Sequence, residues 1–79
     1  MSKAQKIILN RHRKAMFPTL RQIALDTGVS ISTVQNVFYG LSTHSEVIKY
    51  LMECAEKSDY DIPDDLQRLF NAWQVELGV

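Results

Sequence analysis

The chain contains little that would staple it, kink it or insert it into a membrane. Cys54 is the one cysteine in 79 residues, which excludes an internal disulfide framework and a multi-cysteine metal site and fits a reducing cytoplasm. Three glycines and two prolines leave room for only a few tight turns. No apolar run approaches the roughly 18 residues that a membrane span requires. The opening MSKAQKIILNRHRK has too short an apolar patch, followed directly by basic residues, to read as a secretory signal. No stretch alternates with period two over a useful length, so strands are not expected. A glycine-rich phosphate loop, paired carboxylates in a plausible pocket and a nucleophile with a convincing base are all missing, which speaks against an enzyme. His12 and His44 are single and far apart in sequence, so neither a metal nor another cofactor is expected. What is present is 46% apolar residues and 23% charged ones. That mixture suits one small all-helical domain over residues 1–79, hiding only about 60% of its unfolded surface.

Punctuation divides the chain into five helical stretches. The first runs from about Ala4 to Ala15 with Ile7 and Ile8 on one face. It must stop near Phe17, because the residue before Pro18 is pushed out of the helical region. Thr19-Leu20-Arg21-Gln22 reads as a capping box, in which the Thr19 hydroxyl satisfies an exposed amide and Gln22 reaches back. The second helix continues to about Thr27 and breaks at Gly28, which tolerates a left-handed backbone. Ser30 caps a third helix that ends near Tyr39-Gly40. Thr43-His44-Ser45-Glu46 is a second capping box, opening a helix with Val47, Ile48, Leu51, Met52 and Ala55 inward. Pro63 suits the first turn of the last helix, where Leu66, Leu69, Phe70, Trp73 and Leu77 recur at spacings of 3, 1, 3 and 4.

The net charge of zero hides a polarity. Residues 1–40 carry six basic side chains against Asp26 alone, and residues 41–79 carry three against eight acidic ones. A polyanion is attracted to the first half and repelled by the second. The basic half also contains TLRQIALDTGVSISTVQNVFYG, residues 19–40, which reads as two short helices joined by a glycine-containing turn. Ala24 is small where the helices must cross, Gly28 supplies the turn, and Val29, Val34 and Val37 pack one helix on Ile23 of the other. Ile31, Ser32, Gln35, Asn36 and Tyr39 are left facing outward, short and neutral enough to enter a major groove.

Residues 19–40 resemble the headpiece helix-turn-helix of the lactose-repressor family, which reads T-[LI]-x-x-[VI]-A-x-x-[AT]-G-V-S-x-x-T-V-S-x-V-[LI]-x-G. The resemblance continues more weakly through Ser45 to Tyr60-Asp61-Ile62-Pro63. It implies sequence-specific operator binding and regulation of transcription, with Ile31, Ser32 and Asn36 at base edges and Thr19, Ser30, Thr33 and Tyr39 near phosphates. The chain departs from the family in three respects. It lacks the large sugar-binding domain, so no small-molecule effector is implied, and it adds a helix before the motif. Gln35 and Asn36 stand where the family usually has Ser and Arg. The five-helix layout with the motif at its second and third helices is also similar to the broader lambda-repressor-like fold of small phage regulators.

The outward residues of the third helix include no Arg or Lys, so the common guanine contact is missing. Asn36 or Gln35 can pair with adenine and Ile31 can pack on a thymine methyl, which predicts an A·T-weighted half-site. Phosphate contacts fall to Arg11, Arg13, Lys14 and Arg21. His44 is expected either near the nucleic acid or, more simply, as an exposed loop residue. A single motif reads few base pairs, which favours a homodimer on double-stranded DNA. Leu66, Leu69, Phe70, Trp73 and Leu77 offer a dimerisation stripe, or else close the core of the protomer itself. The rival reading is a helical protein-interaction module, anti-repressor or antitoxin-like, that reuses the fold.

Overall fold

Helices form where the breakers permit. The computed structural model describes residues 2–78 as α1 (Lys3–Met16), α2 (Leu20–Thr27), α3 (Ile31–Phe38), α4 (Ser45–Glu56) and α5 (Asp64–Leu77). There is no strand among the described residues, and no helix is long and apolar enough to cross a membrane. Each of the first three helices starts on a hydroxyl cap. Ser2 accepts from the Gln5 amide at 3.1 Å, Thr19 from Gln22 at 3.1 Å and Ser30 from Thr33 at 3.2 Å.

Both expected capping boxes are corrected in part. The Gln22 side chain does not return to Thr19 but donates to Asp26 one turn on, at 2.8 Å. A nearby carboxylate outcompetes a backbone amide that water already solvates. The helix expected to be capped by Thr43 begins one residue later, with His44 at its N-cap and no side-chain cap hydrogen bond among the described residues. The loop before α4 is held instead by Gln5, which donates to the Ser42 carbonyl at 2.9 Å.

The packing closes a ring. α1 lies against α3 and α5, α2 against α3 and α4, and α4 against α5. Leu9, Ile23, Val34, Val37, Val47, Ile48, Leu51 and Leu66 are fully enclosed, and Phe17 sets its ring edge-on to Phe38 at 6.1 Å between centroids. The radius of gyration of 11.3 Å agrees with about 11.6 Å for a compact chain of this length.

The inward face of α1 is not the isoleucine pair. Ile7 is 54% exposed and Ile8 is half-buried, while Gln5, Leu9 and Met16 face the core. Gln5 is only 2% exposed. Its side-chain amide donates to the carbonyls of Val37 and Ser42 at 2.8 and 2.9 Å, and its carbonyl accepts from the Trp73 indole at 3.3 Å. Nearby, Asn10 donates to the Phe38 carbonyl at 2.8 Å and the Ser2 amide to the Gly40 carbonyl at 2.7 Å. Three groups of α1 and its cap therefore donate to carbonyls at and just beyond the C-terminal end of α3, where the helix no longer supplies its own i+4 donors. That end also closes on itself, with Gly40 donating to Val37 and Leu41 to Asn36, the pattern of a Schellman turn.

Gly28 and Gly40 both take a positive φ, 76° and 75°, but their surroundings differ. A Cβ on Gly28 would meet nothing within 4 Å, whereas one on Gly40 would lie 2.0 Å from the Ser2 carbonyl oxygen. Gly28→Ala is therefore expected to cost only backbone strain, about 1 kcal/mol. Gly40→Ala must also displace the start of α1, for about 2–3 kcal/mol in all. Thermal melts of the two variants check this ordering; equal losses would refute it. In the same assay Gln5→Leu should cost about 2–3 kcal/mol, since it leaves the Ser42 carbonyl and the Trp73 indole without partners.

Candidate nucleic-acid interface

α3 is eight residues long and two-sided. Val34, Val37 and Phe38 are buried against the ring, while Ile31 is 41% exposed and Ser32 and Asn36 are open to solvent. Gln35 is half-buried, at the margin of that face. Tyr39, the C-cap, is 49% exposed. Side-chain hydrogen bonds on α3 among the described residues run between Ser30 and Thr33, whose hydroxyls lie 2.9 Å apart. The polar tips of Ser32, Gln35 and Asn36 are thus uncommitted within the protomer. The turn before α3 is short because Gly28 closes α2 with its amide on the Ala24 carbonyl at 2.9 Å and Ser30 opens α3. Ala24, 7% exposed, allows the close approach expected at the crossing.

The helix starts divide by charge. α4 carries Glu46 in its first turn and α5 carries Asp64 and Asp65, but α1, α2 and α3 have no acidic residue there. The amides at the starts of α2 and α3 thus keep their positive partial charge unneutralised. Arg21 sits in the first turn of α2 and is exposed, a position where the macrodipole disfavours a cation. Arg13 and Lys14 lie in the last turn of α1, where the dipole favours them. With Phe17, Pro18 and Thr19 they line a shallow cleft of about 370 Å³ at the start of α2.

Arg11 does not join that group. Residues two apart on a helix point nearly opposite ways, and the Arg11 guanidinium turns to α5, where it meets Asp65 at 2.7 Å. The His12 ring nitrogen Nε2 lies 2.9 Å from the other Asp65 oxygen. Desolvation pushes the Asp65 carboxyl up. The His12 and Leu66-amide hydrogen bonds, the His12 charge and the Arg11 hydrogen bond outweigh it and hold Asp65 below the usual carboxylate range. On the opposite flank Tyr50 donates to Asp26, joining α4 to α2. Burial, with the Asp26 hydrogen bond adding to it, pushes the phenol well above its ordinary value. Burial likewise pushes the half-buried Cys54 thiol up, as suits a packing residue more than a nucleophile. His44 is half-buried at the α4 N-cap, with Nδ1 enclosed and without a hydrogen-bond partner among the described residues; it is not the exposed loop residue expected.

Of the two roles expected for the apolar stripe of α5, dimerisation or closure of the core, the second takes its three largest buried members. Leu66, Phe70 and Trp73 are 0–3% exposed within the protomer, because closing the ring of helices against α1 and α4 consumes that face. Leu69 and Leu77 are half-buried at its edges. The sequence reading also missed the anchoring set of Ser2, Gln5 and Asn10. A signal for Gln5 existed, since residues 5, 9, 12 and 16 share one helical stripe, in which Gln5 and His12 are the polar members beside Leu9 and Met16. The chain matches no family model, and comparisons with curated proteins and with solved structures return no match.

Because the folded value of Asp65 lies below the unfolded one, the carboxylate stabilises the fold above about pH 4 and loses that contribution as pH falls through the folded value. Asp65→Asn is expected to lower the melting temperature by about 3–6 °C at pH 7. The gap to the parent should narrow as the pH falls below the usual carboxylate range, through the folded value. A gap that persists unchanged at low pH would assign the loss to packing.

Proposed function

We propose that the protein is a sequence-specific double-stranded-DNA-binding regulator of transcription, a small cytoplasmic repressor acting as a homodimer on a pseudo-palindromic operator. α2 and α3 form its helix-turn-helix. The observation that carries this reading is the outer face of α3: Ile31, Ser32 and Asn36 are exposed and uncommitted on a helix whose other face is locked into the core. Eight residues span about 12 Å, on the scale of the major groove. The acid-free starts of α2 and α3 lend support, because phosphates bind well at such helix ends.

In this reading Asn36, helped by Gln35, pairs with adenine, Ile31 packs on a thymine methyl and Ser32 contacts a base edge. Thr19, Ser30 and Thr33 already use their hydroxyls in caps or with each other, so they offer phosphates mainly the amides around them. Arg13, Lys14, Arg21 and Tyr39 supply the remaining backbone contacts. Arg11 contributes only by leaving Asp65.

Leu25, 72% exposed on α2, favours the second reading, a protein-interaction module, since an apolar side chain there suits a protein partner. A mobility shift across a salt series, after selection of sites from random DNA, separates the two. The regulator returns A·T-weighted half-sites and a log–log salt slope of about −5, from three basic side chains per protomer in a dimer. Asn36→Ala should weaken the selected site by tenfold or more, leave non-specific affinity within about twofold and leave the melting temperature unchanged. A G·C-rich consensus would refute the assigned base contacts, and the lack of any salt-sensitive shift would refute DNA binding.

A further inference from the structure

With Leu66, Phe70 and Trp73 buried in the protomer, the open surface of α5 carries a second stripe beside the polar Gln67, Asn71 and Gln74: Arg68, Leu69, Ala72, Val75 and Glu76. Val75 is 88% exposed, Ala72, Arg68 and Glu76 are also exposed, and Leu69 is half-buried. These positions lie three and four residues to either side of Ala72, so they form one face of the helix. Arg68 and Glu76 have no ion-pair partner in the protomer among the described residues. Eight residues apart, they stand about 12 Å from each other, too far to pair within one chain.

The geometry points to this stripe as the self-association surface of the protein, occupied by the same stripe of a second copy running antiparallel across it. The argument is charge and shape complementarity under a two-fold rotation. An isologous interface must match each residue with its symmetry mate. A two-fold axis through Ala72 brings Arg68 level with Glu76 of the second copy, and Leu69 level with its Val75. Both opposite charges are satisfied at once, at both ends. The smallest side chain falls at the crossing, where two helices approach to about 8 Å. A parallel arrangement would set Arg68 against Arg68 and Glu76 against Glu76. Leu69, Ala72 and Glu76 also border an open groove of about 370 Å³ shared with the loop at 40–43, which leaves room beside Leu69 for the incoming Val75.

One helix pair buries less than the roughly 1,200 Å² of a standard interface, so the dimer is a weak one, with a dissociation constant on the order of 10–100 µM. It identifies the surface of the dimer named above but draws on no contact with DNA, and its test contains none. Failure here therefore leaves the reading of α3 standing, and failure of that reading leaves the α5 surface standing.

The test is sedimentation velocity on the full chain from 10 µM to 1 mM, with melts to verify folding. The parent should move from monomer toward dimer over this range, while Val75→Asp stays monomeric. Arg68→Glu and Glu76→Arg each set like charges opposite one another and should weaken association at least fivefold. The double variant Arg68→Glu/Glu76→Arg restores the pairing with the signs exchanged, and should return to within about threefold of the parent. A parent that remains monomeric at 1 mM, a Val75→Asp chain that dimerises like the parent, or a double variant no better than either single one would each overturn the proposal.

Discussion

A carboxamide in the middle of a small hydrophobic core is tolerable only if its polar atoms are engaged, and Gln5 holds three separate parts of the chain to engage them. Its two donors reach Val37 at the end of α3 and Ser42 in the following loop, and its acceptor takes the Trp73 indole of α5. None of these partners is near Gln5 in sequence. The bonds form only when α1, α3 and α5 are already close to their final positions, and each is then worth more than in water because the surroundings are apolar. The other α1 contacts, Asn10 to Phe38 and the Ser2 amide to Gly40, act on the same end of α3. The result is a helix fixed at its C-terminus by hydrogen bonds and along one side by Val34, Val37 and Phe38. Its N-terminal face has no obligations to the rest of the fold. A short helix that must present side chains at a defined angle needs this kind of support.

Charge is distributed to the same geometry. The acidic residues that suit helix starts are spent on α4 and α5, and α1, α2 and α3 begin without any. Asp65 also draws Arg11 and His12 toward α5, so not every base in the first half of the chain is available to a polyanion. The start of α2 keeps its amides unneutralised beside Arg13 and Lys14, and Arg21 sits there against the local dipole.

Much of the architecture is legible in the sequence because it is local. Pro18, Gly28 and Ser30 fix the ends of α1, α2 and α3 through backbone and capping chemistry that acts within a few residues. Val47, Ile48, Leu51 and Ala55 declare the buried face of α4 by spacing alone. Apart from Gln22, which turns to Asp26 within its own helix, the readings that required correction depend on distant contacts. Gln5 is buried and Ile7 exposed because of what α3 and α5 present to α1, and residue type alone suggests the reverse. His44 replaces Thr43 at a helix start because the loop is tethered from α1. Gly40 looks like an ordinary helix terminator, and only the passage of the Ser2 carbonyl beneath it makes the missing Cβ a requirement of packing as well as of backbone conformation.

The last helix illustrates why hydrophobicity alone could not assign roles there. A ring of five helices in a chain this short has little apolar surface to spare, so the largest residues of α5, Trp73 and Phe70, with ring centroids 5.6 Å apart, are consumed by the core. An outer surface built from what is left must be small, and its specificity has to come from arrangement more than from area. Alanine at the centre, aliphatic side chains on either side and one charge of each sign at the ends meet that condition. Weak association through such a surface couples naturally to a ligand with two equivalent sites. In the proposed reading, dilute protomers would stay apart, and a two-fold symmetric DNA site that bound two of them together would favour the dimer by mass action. Affinity would then depend steeply on protein concentration, although each protomer would meet only a few base pairs and carries no net charge.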